Sequence, residues 1–229
     1  MSYYRPPSWI ETAREFLTVK DLAIFLAKKG SLVSKYKLQK MPILVLPGLS
    51  TTDHFTAPLR NLLNDAGAVT YGWGLGYNHG NISSLLPQVE NTVEQLVKKH
   101  RCPLVIIGWS LGGYLAREIV RKKPSLASRM ITMGTPVTGP RYTVTAASYN
   151  RSRISVKMIE RQIEKREQVK ITVPVLAMFS KKDGIVHWKS CLSPHEPMVR
   201  DVEISALHMS MPYSLEIAEN ILNELSENI

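Results

Sequence analysis

Six short runs of strand-like composition recur along the chain, and helical spacing fills most of the intervals between them. The runs cover residues 43–46, 68–71, 104–107, 130–133, 173–179 and 199–204. Continuous apolar runs are typical of parallel strands that are buried on both faces. Strands that alternate with helices predict an α/β fold, with a mostly parallel sheet of about six strands flanked by helices. A chain of 229 residues is long enough to form one such domain with a sizeable core.

The sequence Gly-Trp-Ser-Leu-Gly-Gly at residues 108–113 follows the third run and precedes a helical segment. A buried strand, a tight turn and a helix, in that order, are the context of the G-x-S-x-G nucleophile elbow. Such a turn lifts the serine hydroxyl above the sheet edge, and it points the following backbone N–H groups into the same space. The motif therefore predicts that Ser110 is a nucleophile.

A serine hydroxyl becomes a good nucleophile only when a base takes its proton and a third group orients that base. Asp183 follows the fifth run, and His208 follows the sixth. Because ligands bind at the carboxyl ends of the strands in open α/β sheets, both residues fall where the serine lies. We therefore expect Asp183 to be the acid and His208 the base. His187 and His195 come before the last strand, and we interpret them as surface histidines.

An oxyanion hole needs two preorganised N–H donors. Leu111 directly follows the serine, and Leu49 follows the Pro-Gly pair at the end of the first strand. The backbone amides of these two leucines are the predicted donors. His54, Trp109 and Pro136 fall near the same sheet edge and are candidate substrate contacts.

The cysteine and histidine pattern favours a protein without a structural metal. No CxxC pair or His/Cys cluster has the spacing of a zinc site. Cys102 and Cys191 could pair, but two reduced thiols in a cytoplasmic protein are the simpler interpretation.

The N-terminal residues lack the features of a signal peptide, and no apolar run approaches the length of a membrane span. We expect a cytoplasmic location, with peripheral membrane attachment as a further option.

The net charge of +10 is concentrated in two segments, residues 1–40 and 141–170. Each segment holds eight Lys/Arg and three Asp/Glu. A basic patch can attract anionic lipid or nucleic acid, and it can also be a solvated face that aids solubility. We expect residues 8–29 and 141–170 to face an anionic membrane surface, with the solvated face as the alternative, and we expect no nucleic-acid partner. The sequence makes no prediction of the oligomeric state.

The first forty residues are predicted to form a basic, amphipathic helical extension ahead of the α/β domain at residues 41–229, which includes a cap or lid insert at about residues 137–170. A helix over residues 8–29 is indicated by a capping box of Ser8 and Glu11, with Gly30 as the expected C-terminal stop. This helix either packs on the domain or acts as a membrane-surface or lid-like element.

Residues 137–170 interrupt the alternation of strands and helices. Within them, residues 152–169 alternate in charge at helical spacing around a thin apolar stripe. This pattern predicts a helical cap or lid over the site, with a surface crossover helix as the alternative.

The glycine-rich loop at residues 72–80 lacks the spacing of a dinucleotide fingerprint, so no nucleotide cofactor is expected.

Taken together, these motifs resemble the α/β-hydrolase superfamily, in particular its small lipase/esterase type. The segment Leu46-Pro47-Gly48-Leu49 is similar to the strand-end oxyanion motif, with Pro47 where histidine is commoner. Gly-Thr-Pro at residues 134–136 resembles a segment of triacylglycerol lipases, and residues 71–76 resemble a motif of the same lipase-like group. The resemblance covers about residues 42–215.

This resemblance implies an α/β-hydrolase fold and hydrolysis of carboxylic esters through an acyl-serine intermediate, without a cofactor. The expected substrate is a small-molecule or lipid ester. An acyltransferase or thioesterase would use the same three residues, because only the acceptor or the leaving group differs. A non-catalytic binding protein on this fold is the remaining alternative.

Overall fold

The computed structural model describes residues 4–146 and 156–226, and its centre is one six-stranded sheet. The strands are β1 (Pro42–Leu46), β2 (Val69–Gly72), β3 (Leu104–Trp109), β4 (Ala127–Met133), β5 (Val175–Ser180) and β6 (Val199–Ile204). Their order is β2-β1-β3-β4-β5-β6, and each neighbouring pair is parallel. The predicted parallel sheet of about six strands is confirmed.

Helices cover both faces of this sheet. They are α1 (Trp9–Arg14), α2 (Val19–Lys35), α3 (Asp53–Asp65), α4 (Ile82–His100), α5 (Leu111–Lys122), α6 (Val156–Glu167) and α7 (Leu215–Ser226). Short 3₁₀ turns occur at Glu15–Thr18 and at His208–Tyr213, among other places. None of the described helices combines the length and the apolar character needed to cross a membrane.

Side chains along each strand alternate between two apolar layers. On β3, Val105, Ile107 and Trp109 face the layer that contains residues of α2, α3 and α7. Leu104 and Ile106 face the opposite layer, which contains residues of α4 and α5. Because both faces are covered, the inner strands β1, β3 and β5 are buried and apolar at successive positions, whereas the edge strand β6 carries exposed charged residues. The parallel arrangement places the carboxyl ends of all six strands at one edge of the sheet.

The N-terminal extension is helical, but it is not the single helix that the sequence predicts. The capping box of Ser8 and Glu11 is present at the start of α1, as expected. The chain then passes through the 3₁₀ turn at Glu15–Thr18 before α2 begins. The prediction of one continuous helix over residues 8–29 is therefore wrong at this turn.

The predicted helix end at Gly30 is also wrong, because α2 continues to Lys35. Phe25 and Leu32 lie two turns apart on α2, and both are buried in the layer shared with α3 and α7. Burial of such side chains contributes about 1.5–3 kcal/mol each. This gain outweighs the cost of a helical glycine, which is about 1 kcal/mol.

Both cysteines are free thiols in the structure. Cys191 is buried near Asp183, whereas Cys102 is partly exposed after α4. Burial raises the pKa of the Cys191 thiol well above its ordinary value. The neutral thiol is therefore the stable form of Cys191 at neutral pH.

Candidate active site

Ser110 occupies a strained turn between β3 and α5. Its backbone has φ 53° and ψ −118°, a conformation that costs a non-glycine residue energy and that persists only when the surroundings impose it. The Ser110 N–H donates to the carbonyl of Met133 at 2.8 Å, which ties the turn to the end of β4. Helix α5 begins at the next residue, Leu111. The predicted strand-turn-helix context of Ser110 is therefore present.

The glycines around Ser110 allow three backbone segments to come close together. A Cβ on Gly108 would lie 2.3 Å from Cα of Gly113. A Cβ on Gly112 would lie 2.4 Å from the carbonyl oxygen of Leu46, at the end of β1. Both distances are shorter than any real Cβ contact, so a larger residue would push α5 away from the sheet.

His208 and Asp183 form a buried pair at the same sheet edge. Nδ1 of His208 lies 2.7 Å from Oδ2 of Asp183, and the two residues are 2% and 6% exposed. The other carboxylate oxygen, Oδ1, accepts the backbone N–H groups of Ile185 and Val186 at 2.8 Å and 2.7 Å. Asp183 therefore cannot rotate without losing two further hydrogen bonds, and its orientation toward the imidazole is set.

Opposing effects act on the pKa of His208. Burial lowers it, because it disfavours the imidazolium. The Asp183 carboxylate raises it through its charge and its hydrogen bond, and the charge of Glu15 raises it further. The net result is a pKa above the ordinary value for histidine.

Ser110 and His208 line one cavity of about 280 Å³, together with Leu49 and Leu111. The N–H of Leu111 lies in the first turn of α5, where a helix has no internal acceptor and the helix dipole favours negative charge. Within the described residues, no hydrogen bond joins the Ser110 hydroxyl to His208. In enzymes without bound substrate, the hydrogen bond between a nucleophile and its base is often long. The evidence that Ser110 and His208 belong to one site is therefore the cavity that both of them line.

The candidate substrate contacts differ in where their side chains lie. Trp109 and Pro136 line the cavity, but His54 does not. His54 is exposed in the first turn of α3, and its neighbour Phe55 lines the cavity in its place. A step of one residue turns a helix by about 100°, which separates the directions of these two side chains. Trp109 also contacts the predicted base, because its Nε1 donates to the backbone carbonyl of His208 at 3.1 Å.

Helix α6 covers part of this cavity through Ile159 and Ile163. Ion pairs hold its C-terminal end to α5: Glu167 pairs with Arg121 at 2.6 Å and with Arg117 at 3.3 Å, and Arg166 pairs with Glu118 at 2.9 Å. The predicted helix over residues 152–169 is found here as Val156–Glu167, and residues 152–155 lie outside the described residues. The structure thus places the helix of the 137–170 insert against the cavity.

Asn78 and Gly134 support this site, and only Gly134 has a sequence signal. Asn78 is fully buried, and its side-chain Nδ2 donates to the carbonyl of Pro47 at 2.9 Å, next to the predicted oxyanion loop. Gly134 has φ 56°, and a Cβ there would lie 3.0 Å from Nδ1 of His208. The resemblance to lipases pointed to Gly134, whereas Asn78 stands at the end of the glycine-rich loop with nothing to mark it.

Glu15 also supports the site, and the sequence did not indicate it either. This buried carboxylate accepts the backbone N–H of His208 at 3.0 Å, from a turn that lies 193 positions earlier in the chain. No motif connects two segments so far apart. Within the described residues, no group of three or more His, Cys, Asp or Glu side chains is arranged to hold a metal ion.

Several solved structures are similar to this chain. One reported for LipS and LipT, two metagenome-derived lipolytic enzymes, has a TM-score of 0.65 and 13% identity, covering 84% of this chain and 96% of that chain. A monoacylglycerol lipase from Paleococcus ferrophilus has a TM-score of 0.58 and 14% identity, covering 84% and 95%. Carboxylesterase CesB from Bacillus subtilis has a TM-score of 0.54 and 15% identity, covering 81% and 83%.

These similarities show that the chain has the α/β-hydrolase fold, as the sequence motifs implied. The similar structures named above are lipolytic enzymes, a lipase and a carboxylesterase, so the resemblance to the lipase/esterase type holds at the level of the fold. No protein-family model matches the chain, and no curated protein sequence matches it. Because folds host many functions, the chemistry has to be argued from the site itself.

Proposed function

We propose that this protein is a serine hydrolase that cleaves carboxylic esters through an acyl-serine intermediate. The observation that carries the proposal is the buried His208–Asp183 pair, which opens on the same cavity as Ser110 on its strained turn. Strain at a serine and a buried acid–base pair are both costly, and both are typical of nucleophilic catalysis. A binding protein would have no need for this combination.

In the proposed reaction, Oγ of Ser110 attacks the ester carbonyl while Nε2 of His208 takes the hydroxyl proton. Asp183 holds Nδ1–H of the imidazole and stabilises the imidazolium that forms. The N–H groups of Leu49 and Leu111 stabilise the oxyanion. His208 then returns the proton to the leaving alkoxide, and an alcohol departs. Water, deprotonated by His208, attacks the acyl-serine, which releases the acid and restores Ser110.

The cavity favours an ester with an apolar acyl group. Its walls are mainly apolar, with contributions from Phe55, Ile82, Trp109 and Ile163. A volume of about 280 Å³ is slightly smaller than typical ligand pockets, which span roughly 300–1,000 Å³. We therefore infer that short and medium acyl chains fit better than long ones.

A panel of p-nitrophenyl esters of increasing chain length tests the activity. The wild type should hydrolyse the shorter members, and Ser110→Ala should lose activity by at least about 10³-fold. Ser128→Ala is the matched control, because Ser128 lies at the far end of β4 and only contacts the carbonyl of Leu104. Loss of hydrolysis in the control, or its survival in Ser110→Ala, would contradict the proposal. Addition of a competing alcohol separates hydrolysis from acyl transfer.

We further propose that the N-terminal extension attaches the protein to an anionic membrane surface. Trp9, Phe16 and Val19 are 80%, 85% and 78% exposed, which is unusual for large apolar side chains. Exposed basic residues, Arg14 and Lys20, alternate with them along the chain. Apolar insertion next to basic charge is the pattern by which interfacial helices bind anionic lipid.

The position of this surface supports the same idea. Trp9 and Phe16 line a shallow groove together with Thr143 and Val144. Thr143 and Val144 also line the cavity that holds Ser110. A lipid ester in the bound membrane would therefore lie next to the cavity.

Co-sedimentation with vesicles tests this attachment. The wild type should bind vesicles that contain anionic lipid and should bind neutral vesicles less. The double variant Trp9→Ser/Phe16→Ser should lose at least about tenfold in vesicle affinity, since two apolar side chains no longer insert. Met198→Ser is the control, because Met198 is also an exposed apolar residue but precedes β6, at the opposite edge of the sheet and outside both basic segments. Equal binding to both kinds of vesicle would contradict the attachment.

A further inference from the structure

A buried carboxylate from the N-terminal extension reaches the two loops that carry Asp183 and His208. Glu15 lies in the 3₁₀ turn between α1 and α2 and is 6% exposed. Its Oε1 accepts the backbone N–H groups of Gly184 at 2.7 Å and His208 at 3.0 Å. Its Oε2 accepts the N–H of Met209 at 2.8 Å. One side chain therefore links the residue after the acid to the base and to the residue after the base.

The same loop is held from a second side by the extension. Oγ1 of Thr12 donates to the carbonyl of Gly184 at 2.8 Å. A Cβ on Gly184 would lie 2.3 Å from the carbonyl oxygen of Glu11, so a glycine after Asp183 is needed for this close approach. The turn that carries Asp183 is thus shaped to receive the extension.

Burial of a carboxylate is costly unless it is hydrogen-bonded. Glu15 is not among the residues of any described ion pair, and the three backbone N–H groups are its described partners. Two of these donors come from the His208–Met209 turn and one from the Asp183–Gly184 turn. Removal of the carboxylate would leave both turns with unpaired buried donors and without the bridge between them.

We propose that Glu15 is a positioning residue of the active site, which sets the distance and the orientation between Asp183 and His208. This inference rests on the proposed hydrolase function, in which that pair orients the base. Glu15 does not line the substrate cavity, and its contacts with the pair are hydrogen bonds from the backbone of the two turns. It follows that the N-terminal extension is part of the catalytic architecture and not only an attachment device.

The charge of Glu15 gives the inference a signature that packing alone would not produce. Asp183 contacts the imidazole directly, and Glu15 adds a second negative charge that raises the pKa of His208. Replacement by glutamine removes that charge, so the pKa of His208 should fall. Three other titratable groups interact with this pair and remain in the variant: Cys191 beside Asp183, and Tyr213 with Asp21 beside Glu15. Burial, Asp21 and Glu15 all raise the pKa of Tyr213, so loss of the Glu15 charge lowers that pKa as well.

The test compares Glu15→Gln and Glu15→Asp with the wild type. The amide oxygen of glutamine can still accept two N–H groups, but its NH₂ group faces the remaining donor. Aspartate keeps the charge but is one methylene too short to reach both turns. Glu11→Gln is the matched control, because it removes the same charge from the same extension at an exposed side chain that caps α1 by accepting from Ser8. The backbone carbonyl of Glu11, which lies against Gly184, is unaltered by this substitution.

Two readouts are measured for each variant. The first is the pH profile of kcat/KM and kcat with a short p-nitrophenyl ester. The second is the proton resonance of the His208 Nδ1–H and its titration by NMR, assigned with His208→Asn. The second readout needs no turnover, so it decides on Glu15 even if the wild type hydrolyses no ester and the proposed function fails.

Glu15→Gln should lower kcat by about 10–100-fold with little change in KM, because misplacement of a catalytic group by a fraction of an ångström costs rate. In Glu15→Gln, the acid side of the kcat/KM pH profile and the NMR titration of His208 should both move to lower pH. Glu15→Asp should lose rate without that shift, and Glu11→Gln should match the wild type. If Glu15→Gln does not fold, Glu15→Asp decides through its rate and its NMR resonance.

The inference is overturned if Glu15→Gln keeps wild-type rate, pH profile and Nδ1–H resonance. It is also overturned if a folded Glu15→Asp shows no loss of rate and an unchanged resonance, or if Glu11→Gln reproduces the effects of Glu15→Gln. In that last case the charge of the extension, and not the bridge between the turns, would be responsible.

Discussion

The substitution Asp183→Asn separates the orientation of the base from the shape of the site. In the structure, Oδ1 of Asp183 accepts two backbone N–H groups, from Ile185 and Val186, while Oδ2 faces Nδ1 of His208. Asparagine has a single acceptor oxygen. If that oxygen stays with the two N–H groups, the NH₂ group faces His208 and donates to Nδ1. The imidazole then carries its proton on Nε2 and cannot take one from Ser110.

The size of this preference follows from the hydrogen bonds. The opposite orientation of the amide would face two buried N–H donors with an NH₂ group, at a cost of about 1–3 kcal/mol per donor. The amide orientation that selects the inactive tautomer of His208 is therefore favoured by at least about 2 kcal/mol, which makes the inactive tautomer about 30-fold or more as populated as the active one. Loss of the charge that stabilises the imidazolium adds to this, and the expected fall in kcat is about 10⁴-fold, or about 5.5 kcal/mol of barrier.

Steady-state kinetics on a short p-nitrophenyl ester measures the fall, and thermal unfolding checks the fold. Asp183→Asn loses one charged hydrogen bond of about 2 kcal/mol, so Tm should drop by only about 4–8 °C. Asp201→Asn is the matched control, since the Asp201 carboxylate accepts the N–H of Ser193 away from the cavity. A folded Asp183→Asn that loses less than about tenfold in kcat would refute the reasoning.

Three further predictions concern the base and the loops around it. Gly134→Ala should lower kcat by about 10²-fold, because its Cβ would meet His208 Nδ1 at 3.0 Å and Met211 Sδ at 2.8 Å; unchanged kinetics would contradict this. Asn78→Leu should lower the free energy of unfolding by about 1–3 kcal/mol and also reduce kcat, because the carbonyl of Pro47 loses its buried donor; chemical denaturation and kinetics measure both. The pH profile of kcat/KM should fall on its acid side at a pH above 6.5, because His208 must be neutral to act as a base and its pKa is raised above the ordinary histidine value of about 6.5. A fall that begins only at lower pH would contradict this prediction.

Local patterns predicted the sheet well, because the inner strands β1, β3 and β5 are apolar on both faces. The bounds of β6 and α4 agree with the predicted residues 199–204 and 82–100. Strand order was not predicted, since it depends on pairings between distant segments. The position of Ser110 was predictable because the elbow is a contiguous motif whose glycines are required by close backbone contacts.

The extension shows where local patterns stop being sufficient. Apolar spacing predicted a continuous helix, but the chain forms a 3₁₀ turn that places Glu15 between two loops far along the sequence. Three hydrogen bonds to distant backbone groups are not visible in the composition of residues 8–29. Gly30 illustrates the same limit, because burial of Phe25 and Leu32 overrides its helix-ending tendency.

The side chains that surround the candidate site divide in a similar way. Trp109 and Pro136 line the cavity, and both belong to strand-end motifs. His54 was expected there because of its chemistry, yet the rotation of α3 turns Phe55 toward the cavity instead. The chemistry of histidine suggested that His54 contacts substrate, but the direction in which each side chain leaves α3 decides that Phe55 lines the cavity.

The most direct test of the account is covalent labelling with a fluorophosphonate, which reacts with an activated serine. Mass spectrometry of the digested protein should find one adduct per chain, on Ser110, and ester hydrolysis should stop as the adduct forms. Labelling should slow by orders of magnitude in His208→Ala, because the base no longer takes the serine proton. No adduct on Ser110, or the same rate of labelling in His208→Ala, would contradict the central claim.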